Sequence, residues 1–247
     1  MAAIVNSVPI PDGLAWVMPP KATAVAETSF ARTWDLPVRL FHWLLVALLG
    51  FSWWSGKQHE MDWHRLSGYC ILALLVFRFY WGFAGGRTAR FAQFLRGPRT
   101  VATYVRSLAK GPYCGALGHN PIGGWSVVLM LATLLVMVVA GLFAVDVDGL
   151  ESGPLSDYVT FELGRVAAEV HGLVFNVLLG LVVLHMLGVL FYLVRFRNNL
   201  ISPMITGRRR AHDGEAVQHL GASAWKAVLG IILAVLSAVA VARGFRF

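Results

Sequence analysis

Charge is scarce in this sequence. Of its 247 residues, 14% are Asp, Glu, Lys or Arg, against 57% hydrophobic. A soluble domain carries roughly a quarter charged residues. With a mean hydropathy of +0.64, the balance excludes a water-soluble domain and points to an integral membrane protein. Cysteine is nearly absent. Cys70 lies in an apolar run and Cys114 in a loop, which excludes a disulfide framework, and no C-x-x-C-H occurs to attach a c-type haem. The first 30 residues lack the basic start, apolar centre and cleavage site of a signal peptide, so the first span is expected to act as its own insertion signal. The formal charge is +8. On a soluble protein that excess would suggest nucleic acid. Here the charges sit between apolar blocks and read as orientation signals, so no nucleic-acid partner is expected.

Five apolar stretches approach the roughly 20 residues that a bilayer core needs. They are Val38–Trp54, Leu66–Phe83, Trp125–Ala144, Val170–Val194 and Ala224–Ala242. Each is expected to be helical, because a lone span must satisfy its own backbone; the class is therefore all-α. The loops differ in sign. Arg87, Arg90, Arg96, Arg99, Arg106 and Lys110 follow the second span without an acid among them. Arg195, Arg197, Arg208, Arg209 and Arg210 follow the fourth. Asp146, Asp148, Glu151, Asp157, Glu162 and Glu169 lie between the third and fourth, against Arg165. Positive loops stay cytoplasmic. The N-terminus is thus expected inside and the acidic loop outside, where it would suit a basic partner. The alternation of Arg90 and Arg96 with Phe91, Phe94 and Leu95 in "RFAQFLRGP" (Arg90–Pro98) predicts a short interfacial helix.

Four of the eight histidines lie in or at the ends of spans: His42, His64, His171 and His185. Ionisable groups at membrane depth are costly and tend to be functional. His171 and His185 are 14 residues apart on one predicted helix. That is nearly four turns, so both face one side, roughly 21 Å apart along the axis. One metal cannot bind both; two stacked sites can. Because helix direction alternates, His42 shares its depth with His185 on the inner side, and His64 with His171 on the outer side. Zinc would want four N or S ligands, whereas haem needs two axial ones. Gly68, one turn after His64, would leave room for a macrocycle, or would simply pack helices. Arg39 and Arg65 lie beside His42 and His64. They are placed either to pair with haem propionates or to snorkel to headgroups.

The motifs "WDLPVRLFHW", "HRLSGY", "RFAQFLRGP", "GHNPIGG" and "NLISPMITG", with the His171/His185 pair, resemble the bacterial cytochrome b561 and Ni,Fe-hydrogenase b-type cytochrome family, from Trp34 to about Gly207. The resemblance implies a four-helix transmembrane core with two haem b groups, ligated by His42, His64, His171 and His185. It also implies electron exchange between the quinone pool and a periplasmic redox protein, a cytochrome c or a hydrogenase-like subunit, at the bacterial inner membrane. Residues 34–207 would form that domain, after an N-terminal extension (1–33) and before a basic linker with a fifth span (208–247). Anchoring of a hydrogenase-type complex is the nearest alternative, and a histidine-based proton-coupled transporter a remote one. Among the other histidines, His119 opens "GHNP", where Asn120 is expected to cap the third span with Pro121 in its first turn. A quinone or propionate contact is the alternative role for His119. His59 is a candidate contact to the outer haem or a quinone, and His212 and His219 read as solvated.

Overall fold

The computed structural model describes residues 30–110, 118–210 and 222–246. Cys114, His212 and His219 lie outside the described residues, as does nearly all of the N-terminal extension. Five helices are long and apolar enough to cross a membrane: α1 (Leu36–Lys57), α2 (Met61–Ala84), α5 (Pro121–Phe143), α6 (Phe161–Phe196) and α8 (Ala224–Ala242). Shorter helices join them: α3 (Phe91–Phe94), α4 (Pro98–Lys110) and α7 (Ile201–Thr206).

The helix starts follow from local chemistry. The Asp35 carboxylate accepts the Val38 N–H at 3.0 Å and caps α1, with Pro37 in the first turn. The Asn120 side chain does the same for α5, accepting from the Gly123 N–H at 2.7 Å, with Pro121 at the first helical position, as the sequence predicts. Thr160 caps α6. That cap lies ten residues before the predicted start of the apolar run. The extra turns carry Glu162, Arg165 and Glu169, so hydropathy alone truncated the helix. At 36 residues, α6 is about 54 Å long and exceeds a hydrocarbon core of about 30 Å.

The expected short helix is a single turn. "RFAQFLRGP" holds one helical turn, α3, whose Phe94 is buried. The amphipathic helix is α4, which follows it and begins at Pro98. Its Tyr104 hydroxyl lies 2.9 Å from that of Tyr192 near the end of α6.

Two hairpins make the core. α1 packs along α2, and α5 along α6; α2 and α5 join the hairpins, while α1 and α6 hardly touch. Phe41, Ile71, Leu75, Leu134 and Leu178 meet at the centre. The fifth span packs on the chain's own α2. Gly230 lets it approach: a Cβ there would stand 2.6 Å from the Tyr80 ring. Ala234 and Ala238 continue the buried stripe.

A strand pair adds a small exception to the all-helical class. β1 (Phe30–Arg32) runs antiparallel to β2 (Arg208–Arg210). With it, α7 folds back over the start of α1. The Arg39 guanidinium donates to the Ile205 carbonyl at 2.5 Å, Trp43 Nε1 to that of Met204 at 3.2 Å, and the Thr33 N–H to that of Gly207 at 2.9 Å. Gly207 turns the chain at φ 79°, a conformation that suits glycine. "NLISPMITG" is thus a clasp on α1.

Candidate functional site

The structure brings two of the four span histidines ring to ring. At the acidic-loop end, the His64 and His171 rings lie with centroids 5.9 Å apart and planes near perpendicular, at 83°. His64 Nδ1 lies 2.9 Å from the carbonyl oxygen of Ser52 on α1, and His171 Nδ1 lies 2.8 Å from that of Met137 on α5. A carbonyl oxygen only accepts. Both rings are therefore protonated at Nδ1, and each keeps its Nε2 lone pair for a ligand. Gly56 and Gly141 allow this approach. A Cβ on Gly56 would be 3.1 Å from His64 Nδ1, and one on Gly141 2.8 Å from His171 Nδ1.

At the basic end, His42 and His185 are close enough to interact electrostatically. His42 Nδ1 is buried without a hydrogen-bond partner. Between the pairs stands Leu178, seven residues from both His171 and His185 and 5% exposed. The α6 face is therefore a histidine, an apolar spacer and a histidine, each about two turns from the next.

The His64/His171 spacing fits haem. An iron about 2 Å from each of two opposed imidazole nitrogens sets the ring centroids about 6 Å apart, the separation of His64 and His171. α1 and α6 share few contacts. A Cβ on Gly68, or on Gly172, Gly180 or Gly188 of α6, would meet no atom within 4 Å. No group of three or more His, Cys, Asp or Glu side chains able to hold a bare metal ion occurs among the described residues.

The flanking arginines are engaged elsewhere. Arg65 pairs with Glu151 and, at 2.6 Å, with Asp62, which ties α2 to the acidic loop. Arg39 holds α7, although its Nε is buried and unpartnered. His59 is exposed at φ 60° in the turn between α1 and α2.

Sequence reasoning missed a polar cluster at the basic end. Arg78, 3% exposed, donates to the Ala89 carbonyl at 3.3 Å and lies 4.9 Å over the Phe91 ring. The Asp35 carboxylate that caps α1 also accepts from Trp81 Nε1 at 3.0 Å. His119 is wedged against the rings of Trp34 and Phe94, at 4.6 and 4.7 Å, with its Nδ1 sealed and unpartnered. Burial, then Arg78, then His185 push its pKa down to about 3, so it is neutral at physiological pH. An arginine inside an apolar span was the signal for this cluster. The carbonyls behind His64 and His171 have no signature in sequence.

The family model for prokaryotic cytochrome b561 matches residues 33–207. No curated protein and no solved structure matches the chain.

Proposed function

The chain belongs to the prokaryotic cytochrome b561 family, the premise from which we propose that it carries electrons through two b-type haems stacked across the membrane. It is a multi-pass membrane protein of a b-type cytochrome family. His64 with His171 would hold the outer haem, and His42 with His185 the inner one. The electrons would pass between the quinone pool and a redox protein on the outer face, a cytochrome c or similar. The basic α3–α4 end would face the cytoplasm of a bacterial inner membrane, by the charge rule.

One observation carries the reading. Opposed imidazoles stand at the spacing of a bis-histidine iron site, and a second pair lies roughly 21 Å further along the same helix. A bound haem supplies a one-electron couple at its iron. The chain does the rest. Nδ1–H bonds to carbonyls orient His64 and His171, α6 fixes the spacing, and Phe41, Leu75, Leu134 and Leu178 keep water from between the pairs. The decisive experiment is the visible spectrum of the purified protein with a haem count. A reduced b-type α-band and two haems per chain are expected. A colourless protein rejects the reading, and one haem per chain rejects the stacked arrangement.

A further inference from the structure

The two histidine pairs differ in what stands behind them. At the acidic end, both rings give an N–H to a main-chain carbonyl of a neighbouring helix, at 2.9 and 2.8 Å. At the basic end, His42 Nδ1 is buried without a partner, and the described residues offer His185 none. A ligating imidazole whose other nitrogen donates to an acceptor is a more basic ligand and is fixed in orientation. A more basic ligand favours the more positive, oxidised metal.

We infer that Gly56 and Gly141 are positioning residues for the axial ligands of the outer haem, leaving the gaps through which His64 and His171 reach the Ser52 and Met137 carbonyls. The hydrogen bonds so made lower that haem's potential and hold its two ligand planes near perpendicular. The inference rests on the two-haem reading above. The geometry is selective. Ring and carbonyl belong to different helices in both cases, α2 to α1 and α6 to α5. The glycine in each case lies four residues after the carbonyl, on the same helix. It is therefore one turn further along the face that the ring crosses. A methyl group at either glycine would press on the donating nitrogen itself, at 3.1 Å for Gly56 and 2.8 Å for Gly141. Glycine at these two points serves the ligand, whereas Gly230 serves helix packing.

The test is a spectropotentiometric titration of the purified, haem-loaded protein, with low-temperature electron paramagnetic resonance on the same samples. Perpendicular imidazole planes give a strongly anisotropic low-spin signal. In Gly141→Ala, one haem should become easier to reduce by about tenfold in its ferrous-to-ferric ratio at fixed potential, about 59 mV for one electron. Its anisotropic signal should move while the other haem stays put. Gly56→Ala, the milder intrusion, should move the same haem in the same direction, and carries the test if Gly141→Ala does not accumulate. Ser52→Ala removes a hydroxyl 3.3 Å from His64 Nδ1 but keeps the carbonyl, and should leave the titration nearly unchanged. Potentials and signals of both glycine variants that superimpose on the wild type would overturn the inference, as would equal shifts of both haems. Either result leaves the two-haem reading standing. A wild-type protein with fewer than two haems sinks that reading instead.

Discussion

The Arg246 guanidinium lies 2.5 Å from the Asp157 carboxylate, joining the end of the fifth span to the acidic loop. Beside it the Tyr158 hydroxyl donates to the Gly244 carbonyl at 2.7 Å. Both members of the ion pair are about two-thirds exposed or more, so the pair alone contributes at most about 1 kcal/mol. The seat of α8 is the apolar stripe. Gly230→Leu should unseat the helix from Tyr80 and Phe77, lowering the unfolding temperature by several degrees, while Arg246→Ala changes it little. Limited proteolysis of the segment before α8, with the visible spectrum as control, distinguishes the two. An unchanged Gly230→Leu protein would show that the stripe does not hold α8.

Histidine loss should be matched in pairs. His42→Ala and His185→Ala are expected to remove the same component from a redox titration, and His64→Ala and His171→Ala the other. Because haem binding also stabilises the bundle, these variants should accumulate less. Selective loss of one shared haem in His42→Ala and His171→Ala, with the other intact, would overturn the pairing.

The acidic loop is expected to steer a basic redox partner. Glu151 and Asp157 are paired with Arg65 and Arg246, and Asp146 is partly buried, so Asp148 is the most open of the four. Neutralising Asp146, Asp148, Glu151 and Asp157 together should slow encounter with that partner and flatten its salt dependence, with both haems retained. Stopped-flow reduction at low and high salt measures this. Identical rates at low salt would reject steering.

His119 gives a pH dependence. Its folded pKa of about 3 lies below the ordinary value of roughly 6.5. Between these limits the unfolded chain takes up a proton that the folded chain refuses. Stability therefore falls as pH drops from about 6.5 toward 3, by at most about 1.4 kcal/mol per pH unit from this group. His119→Gln should lose that part of the slope. Thermal unfolding at pH 7 and pH 5 of both proteins checks it; parallel changes would place the sensitivity elsewhere.

Asp35 caps α1, accepts from Trp81 and lies within electrostatic reach of Arg78. Asp35→Ala should cost about 0.5–2 kcal/mol for the cap and about 1–3 kcal/mol for the buried indole N–H left unpaired. Asp35→Asn, which can still cap, should cost less. Unfolding followed by tryptophan fluorescence measures both, and equal losses would assign the effect to charge.

Much of this architecture was legible because it rests on local pattern. The spans declare themselves by apolar length, the α5 cap by Asn120 and Pro121, and the meeting of His64 with His171 by alternating helix direction. Contacts distant in sequence leave no such trace: neither the Ile205 carbonyl beside Arg39 nor Glu151 beside Arg65 can be foreseen as a neighbour. The α4 helix was readable in principle, from Val101, Tyr104, Val105 and Leu108 at helical spacing after Pro98.

Because α6 runs unbroken from Phe161 to Phe196, the distance between the two histidine sites is counted in residues rather than set by loops. Substitutions between His171 and His185 leave that count intact. A single inserted residue would turn one imidazole by about 100° relative to the other, away from its partner on α1 or α2. The interval therefore tolerates changes of side chain and forbids changes of length, much as a gear tolerates a new alloy but not an extra tooth.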